Sequence, residues 1–155
     1  FRITFPGRSA GNLATVIEEH PLTSTLSHDG YCDWQFFDLM NDATCLYYPP
    51  ECKVPFKPIV DVVSSYKWVR RQSAISEFRV GKGRLLIFTF NLLPDTPAVN
   101  WWKYNIFSYM NSEEFNPEVT LTLNELKTLF EVKEVMRALE NTNFAGNVND
   151  KTMKR

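Results

Sequence analysis

The sequence has no surplus of charge. Lys plus Arg number 17 and Asp plus Glu 18, a formal net charge of -1 at pH 7. A nucleic-acid binder normally shows a basic patch or stripe, so no nucleic-acid partner is expected. Long apolar runs are missing too. Nothing approaches the ~20 residues that cross a bilayer as a helix, and no membrane partner is expected. Cysteine is scarce: Cys32, Cys45 and Cys52 are the three present. An odd number cannot all pair internally. The only histidines, His20 and His28, lie upstream without metal-ligand spacing. No zinc site is expected, and the thiols read as buried small apolar groups. An initiating Met and a signal peptide are also missing. The chain starts at Phe1, which reads as a processed protein or a piece of a larger one.

What is present is an ordinary globular composition over 155 residues, 44% hydrophobic and 23% charged. That length fits one domain, or one domain with a tail. The 12 Phe, 6 Tyr and 4 Trp supply enough area for a sizeable core. Leu13 to Ile17 reads as a short strand ended by His20-Pro21. Asp33 is placed to cap a short helix from Trp34 to Met40. Ile59 to Val63 is a β-branched run suited to a strand. Ser73 to Val80 alternates, the tight turn Gly81-Lys82-Gly83 comes next, and Arg84 to Phe90 is apolar on both faces. This is a β-hairpin whose second strand is expected in the middle of a covered sheet. Asp95-Thr96-Pro97 opens a helix to about Met110, with Val99, Trp102, Ile106, Tyr109 and Met110 on its apolar face. Thr122 to Glu125 is a capping box for a further helix.

Residues that could carry chemistry are few. Gly7-Arg8-Ser9-Ala10-Gly11 matches the Gly-x-Ser-x-Gly elbow, but the residues after Gly11 read as strand rather than helix. A small hydrolase would need Ser9 or Cys32 with His20 or His28. The bland reading has His20 satisfying a backbone group beside Pro21 and His28 in a surface turn. Glu77 is the one carboxylate expected within a strand pair, facing solvent or pairing with Arg79 or Lys82. Gly81-Lys82-Gly83 lacks the pattern of a phosphate cradle, and no cofactor is expected. Trp34, Trp68 and the adjacent Trp101 and Trp102 serve either core packing and docking or ligand contact. Trp68 sits in a polar stretch, where an exposed ring marks a binding or docking patch.

The order of several segments carries a resemblance. They are Gly11-Asn12-Leu13, His20-Pro21, Gly30 through Leu39 (GYCDWQFFDL), Lys57 through Val63 (KPIVDVV) and Glu77 through Leu86 (EFRVGKGRLL). This series resembles the non-catalytic C-terminal region of bacterial glycoside hydrolase family 2 proteins, from about Leu13 to Phe115. The resemblance implies an α/β fold of the flavodoxin or class I glutamine amidotransferase-like kind, incomplete at its N-terminal side. It implies an accessory domain over residues 1–118; the capping box then reads as opening a helical extension over 119–140, and the polar residues after Glu140 as a tail or linker over 141–155. The parent's catalytic glutamates lie in a separate barrel, and Cys32 lacks the glycine-rich elbow of an amidotransferase nucleophile. The chain by itself is therefore expected to be no enzyme. Its expected partners are the parent's other domains, a carbohydrate contacted by Trp34, Gln35 and Trp68, and a second copy at an open sheet edge. The alternative is a carbohydrate-binding module using exposed aromatics. The implied location is periplasmic or secreted.

Overall fold

In the computed structural model, residues 15–40, 43–49, 52–62 and 71–130 are described. The longest strand, β4 (Arg71–Val80), organises the sheet. Along one edge it pairs antiparallel with β3 (Val60–Val62), which in turn pairs with β1 (Thr15–Ile17). The two-residue strand β6 (Thr120–Leu121) joins that same edge in parallel. Along the other edge lie β2 (Leu46–Tyr48) and then β5 (Gly83–Phe88), both antiparallel. The β4–β5 turn is tight because Gly81 takes a φ of 57°, the left-handed region that glycine enters freely.

A β-bulge sets which residues of β4 face which layer. Val60 pairs with Ile75 but Asp61 pairs with Ser73, so β4 carries one extra residue between them. Ser73 and Ser76 thereby reach the same face. There Ser76 Oγ donates to Ser73 Oγ at 2.8 Å and Tyr48 donates to Ser76 Oγ at 2.9 Å. The alternation expected over Ser73–Val80 holds only beyond the bulge.

Each face of the sheet carries its own core. One holds Val60, Val62, Ile75, Phe36 and Phe90 under α2 (Pro97–Met110), with Leu39 and Met40 from α1 (Phe37–Met40). Trp102 is 0% exposed there, with its ring centroid 5.3 Å from Phe88 and 5.9 Å from Phe90. Aromatic pairs of this kind contribute ~0.5–1.5 kcal/mol each beyond area burial. Thr96 caps α2, accepting from the Val99 N–H, and Pro97 comes next in the first turn. Of the face expected to be apolar, Val99, Trp102 and Tyr109 are buried while Met110 is exposed. The other core holds Leu46, Tyr48, Phe78 and Leu121, closed by Leu129 of α3 (Leu123–Phe130). The capping box forms as expected: Glu125 accepts from the Thr122 N–H at 2.7 Å, and Thr122 accepts from the Glu125 N–H at 3.2 Å.

Two expectations change. The described chain is mixed α/β, a six-stranded open sheet with three α-helices. A doubly wound, flavodoxin-like sheet would be parallel, but four of the five pairings are antiparallel. The physical reason is connectivity. A parallel neighbour needs a long crossover; β4 and β5 are joined by a tight turn, whereas β6, the one parallel partner of β4, comes only after α2. Second, β5 is covered on both faces, with Leu86 and Phe88 on one core and Leu85 and Ile87 on the other. It lies at an edge rather than in the middle, pairing with β4 alone among the described strands. Residues 119–130 supply β6 and α3 to the same sheet and core. The rest of that segment and the tail lie outside the described residues.

Candidate functional site

The strands β3 and β6 meet the same edge of β4 and stop short of each other. The Ile59 N–H donates to the Ile75 carbonyl at 2.9 Å, and the Arg79 N–H donates to the Val119 carbonyl at 2.7 Å. Alternate residues of a strand present their main-chain groups to opposite neighbours, so Glu77 faces this edge as well. Continuing the β3 register would set Pro58 opposite Glu77. Proline has no N–H to give a ladder, and the pairing ends there. Pro117 likewise precedes β6. Glu77 is left without a strand partner on that edge among the described residues. It lines a cleft of about 840 Å³, together with His20, Phe56, Pro58, Ile59 and Val119.

The Glu77 carboxylate is bonded on one side and faced by His20 on the other. Tyr109, on α2, donates to Oε2 at 2.7 Å, and His20 Nε2 lies 3.6 Å from Oε1. His20 Nδ1 accepts from the Leu22 N–H at 3.2 Å. That bond assigns the ring proton of neutral His20 to Nε2, the nitrogen facing Glu77. The turn after His20 is fixed by its carbonyl, which accepts from the Thr23 and Ser24 N–H groups, each at 2.9 Å. The Tyr109 ring packs edge-on to His20 at 5.5 Å and against Phe115 at 5.3 Å. Burial first, and then the bond to Glu77, push the Tyr109 phenol far above its ordinary range.

Around this floor the cleft is acidic. Glu18, Glu19, Asp61, Glu113, Glu114 and Glu118 line it, with Lys57 as the lysine. Lys57 bonds Glu118 and draws that carboxyl below its usual value. Both side chains are well exposed, so the pair adds little stability. Burial, and secondarily the neighbouring Glu18, raise the Asp61 carboxyl. Among the described residues no group of three or more His, Cys, Asp or Glu side chains is arranged to hold a metal ion.

Trp34 and Gln35, two of the residues expected to contact carbohydrate, are not part of this cleft. Trp34 is 86% exposed, its ring 6.0 Å from Phe37 with planes 35° apart. Its base is rigid. Asp33 accepts from the Gln35 N–H at 3.2 Å, the Gln35 side chain donates to the Ser27 carbonyl, and Phe36 is buried. Trp68 and the Gly7–Gly11 stretch lie outside the described residues. Cys32 and Cys45 are buried as expected, their thiols pushed up to about 11 and about 12 by desolvation. His20 does satisfy a backbone group, and His28 does the same for Gly30 at 3.1 Å. Glu77 pairs with neither Arg79 nor Lys82. Arg79 turns to Asn116 instead, and the partners of Glu77 arrive from 32 residues downstream and from the loop after β1. No local spacing signals that meeting.

A family model described as Domain of unknown function (DUF8487) matches residues 2–131. The chain belongs to this family. The DUF8487 span contains every described element, from β1 to α3, and with them the cleft. Among curated proteins nothing matches the chain. No described helix is long and apolar enough to cross a membrane.

Proposed function

We propose that this chain is a non-catalytic accessory domain of a glycoside hydrolase family 2-like enzyme, serving to dock other domains of that enzyme. The observation that carries the non-catalytic reading is the state of the cleft floor. Both oxygens of Glu77 face a donor, and both nitrogens of His20 have a neighbour to bond. General acid or base work would pass a proton to substrate through these same groups, and here each is engaged with a neighbour within the fold. The buried, protonated Cys32 and Cys45 offer no thiolate nucleophile. The parent enzyme comes from the resemblance in segment order. The finer, flavodoxin-like form of the fold belongs to that same resemblance and gains no support from the antiparallel ladder.

A second reading, a carbohydrate-binding module, draws on the Trp34–Phe37 pair. It is a rigidly based and exposed aromatic step of a kind enriched at recognition surfaces. Passing the chain and a Trp34→Ala variant over immobilised glycans, with a chromogenic β-glycoside assay alongside, separates the readings. Docking alone predicts no retention and no hydrolysis. Retention lost in Trp34→Ala establishes the binding module. Hydrolysis by the chain that disappears in Glu77→Gln overturns the accessory role.

A further inference from the structure

We propose that the outer edge of β5 pairs with β5 of a second copy of this chain, across a two-fold axis at Leu86. Three observations on this strand lead there. In the hairpin, Gly83, Leu85 and Ile87 face Val80, Phe78 and Ser76 in pairs that bond across the ladder. The alternation then turns the N–H and C=O of Arg84, Leu86 and Phe88 outward. No described strand meets them. Next, the side chains from Leu85 to Phe88 are large and apolar, alternate between the two cores, and are only half buried. Both cores therefore run out at this edge. Natural edges are blunted by proline, inward charge or a covering element, and Leu85–Phe88 carries no proline and no charge.

The same facts define the occupant. A strand added beside β5 is flanked by apolar side chains on both faces and must itself be apolar on both faces. Among the described strands β5 is the one that meets this description along four consecutive residues. Self-pairing is also antiparallel and in register. With the axis at Leu86, Arg84 falls opposite Phe88 of the second copy rather than opposite itself, so like charges do not meet. The Arg84 guanidinium already lies over an aromatic ring, 5.0 Å from the Phe115 centroid, on the face shared with Leu86 and Phe88. The pairing extends both cores across the interface and leaves the cleft at Glu77, on the opposite edge of β4, untouched.

Sedimentation velocity of the full chain over a concentration series is the first test. The expected result is a reversible monomer–dimer equilibrium. Leu86→Pro removes an outward N–H that the β4 ladder does not use, and it should abolish the dimer while circular dichroism stays native. Because that variant can also fail to fold, cysteine cross-linking in a Cys52→Ser background gives a second reading. Leu86→Cys should form an intermolecular disulfide, its two α-carbons being about 5.5 Å apart across the axis. Leu85→Cys, which falls opposite position 87 of the partner, should not. A chain that stays monomeric throughout, or a dimer that survives folded Leu86→Pro, overturns the proposal. Equal cross-linking at positions 85 and 86 overturns the register.

Discussion

Replacing Tyr109 by Phe removes one oxygen and leaves the ring packed against His20 and Phe115. The loss falls mainly on Glu77, whose side chain is only 11% exposed and whose Oε2 then has no donor at 2.7 Å, and secondarily on the Glu114 carbonyl at 3.3 Å. Hydrogen bonds to charged groups contribute about 1.5–3 kcal/mol, and stranding a buried acceptor adds desolvation on the same scale. His20 remains beside Oε1, so the lower half of that range, about 2 kcal/mol, is expected. For a domain of this size that corresponds to a fall in Tm of roughly 4–8 °C. Urea denaturation at pH 7 measures it, provided the m-value is unchanged. A double-mutant cycle with Glu77→Gln then isolates the pair, since residues in direct contact couple by ~0.5–3 kcal/mol. The double variant should be less destabilised than the sum of the single ones. A Tyr109→Phe loss below about 0.5 kcal/mol with additive behaviour, the range of an ordinary surface change, refutes the assignment of Tyr109 as the group that holds Glu77.

The packing sets the remaining outcomes. Trp102→Ala should cost about 3–5 kcal/mol by chemical denaturation, because a fully buried indole leaves a cavity among Phe36, Phe88 and Phe90. Trp34→Ala should stay within about 0.5 kcal/mol of the parent, its ring being solvent-exposed. Thr122→Ala should cost about 1 kcal/mol by opening the capping box of α3. A thiol reagent at pH 8 should modify half-buried Cys52 quickly and reach Cys32 and Cys45 only on unfolding, since their thiols are pushed up to about 11 and about 12. Rapid labelling of all three thiols in the native chain would contradict that burial.

Local chemistry made much of the fold legible. The Gly81-Lys82 hairpin, the Thr96-Pro97 helix start and the Thr122–Glu125 box depend on neighbours in sequence, and each formed where its residues require. The strands β2 and β6 were not legible. Leu46-Tyr47-Tyr48 and Thr120-Leu121 are too short to show a period, and they become strands only because β4 offers them an edge. The edge position of β5 is not legible for a related reason. An all-apolar strand reports that both faces are covered, and says nothing of whether both edges are paired. The cleft was visible only as its causes. Pro58 and Pro117 could be read as breaks, but their arrival on either side of Glu77 is a property of the sheet order. Tyr109 reads as one more apolar position of a helix face, which its ring is, and its hydroxyl carries no local sign of a carboxylate 32 residues upstream.

The central position of β4 has a consequence for how the chain reaches this state. Its ten residues pair with four other strands, drawn from positions 46 to 121, and the pairing with β5 is the one that starts from a tight turn. Closing the loops to β2, β3 and β6 loses chain entropy before any of those contacts is rewarded. The β4–β5 hairpin is then the natural early structure, with β2, β3 and β6 joining it late. Destabilising changes at Phe78 or Leu85 should slow folding, while changes at Leu46 or Leu121 should mainly speed unfolding.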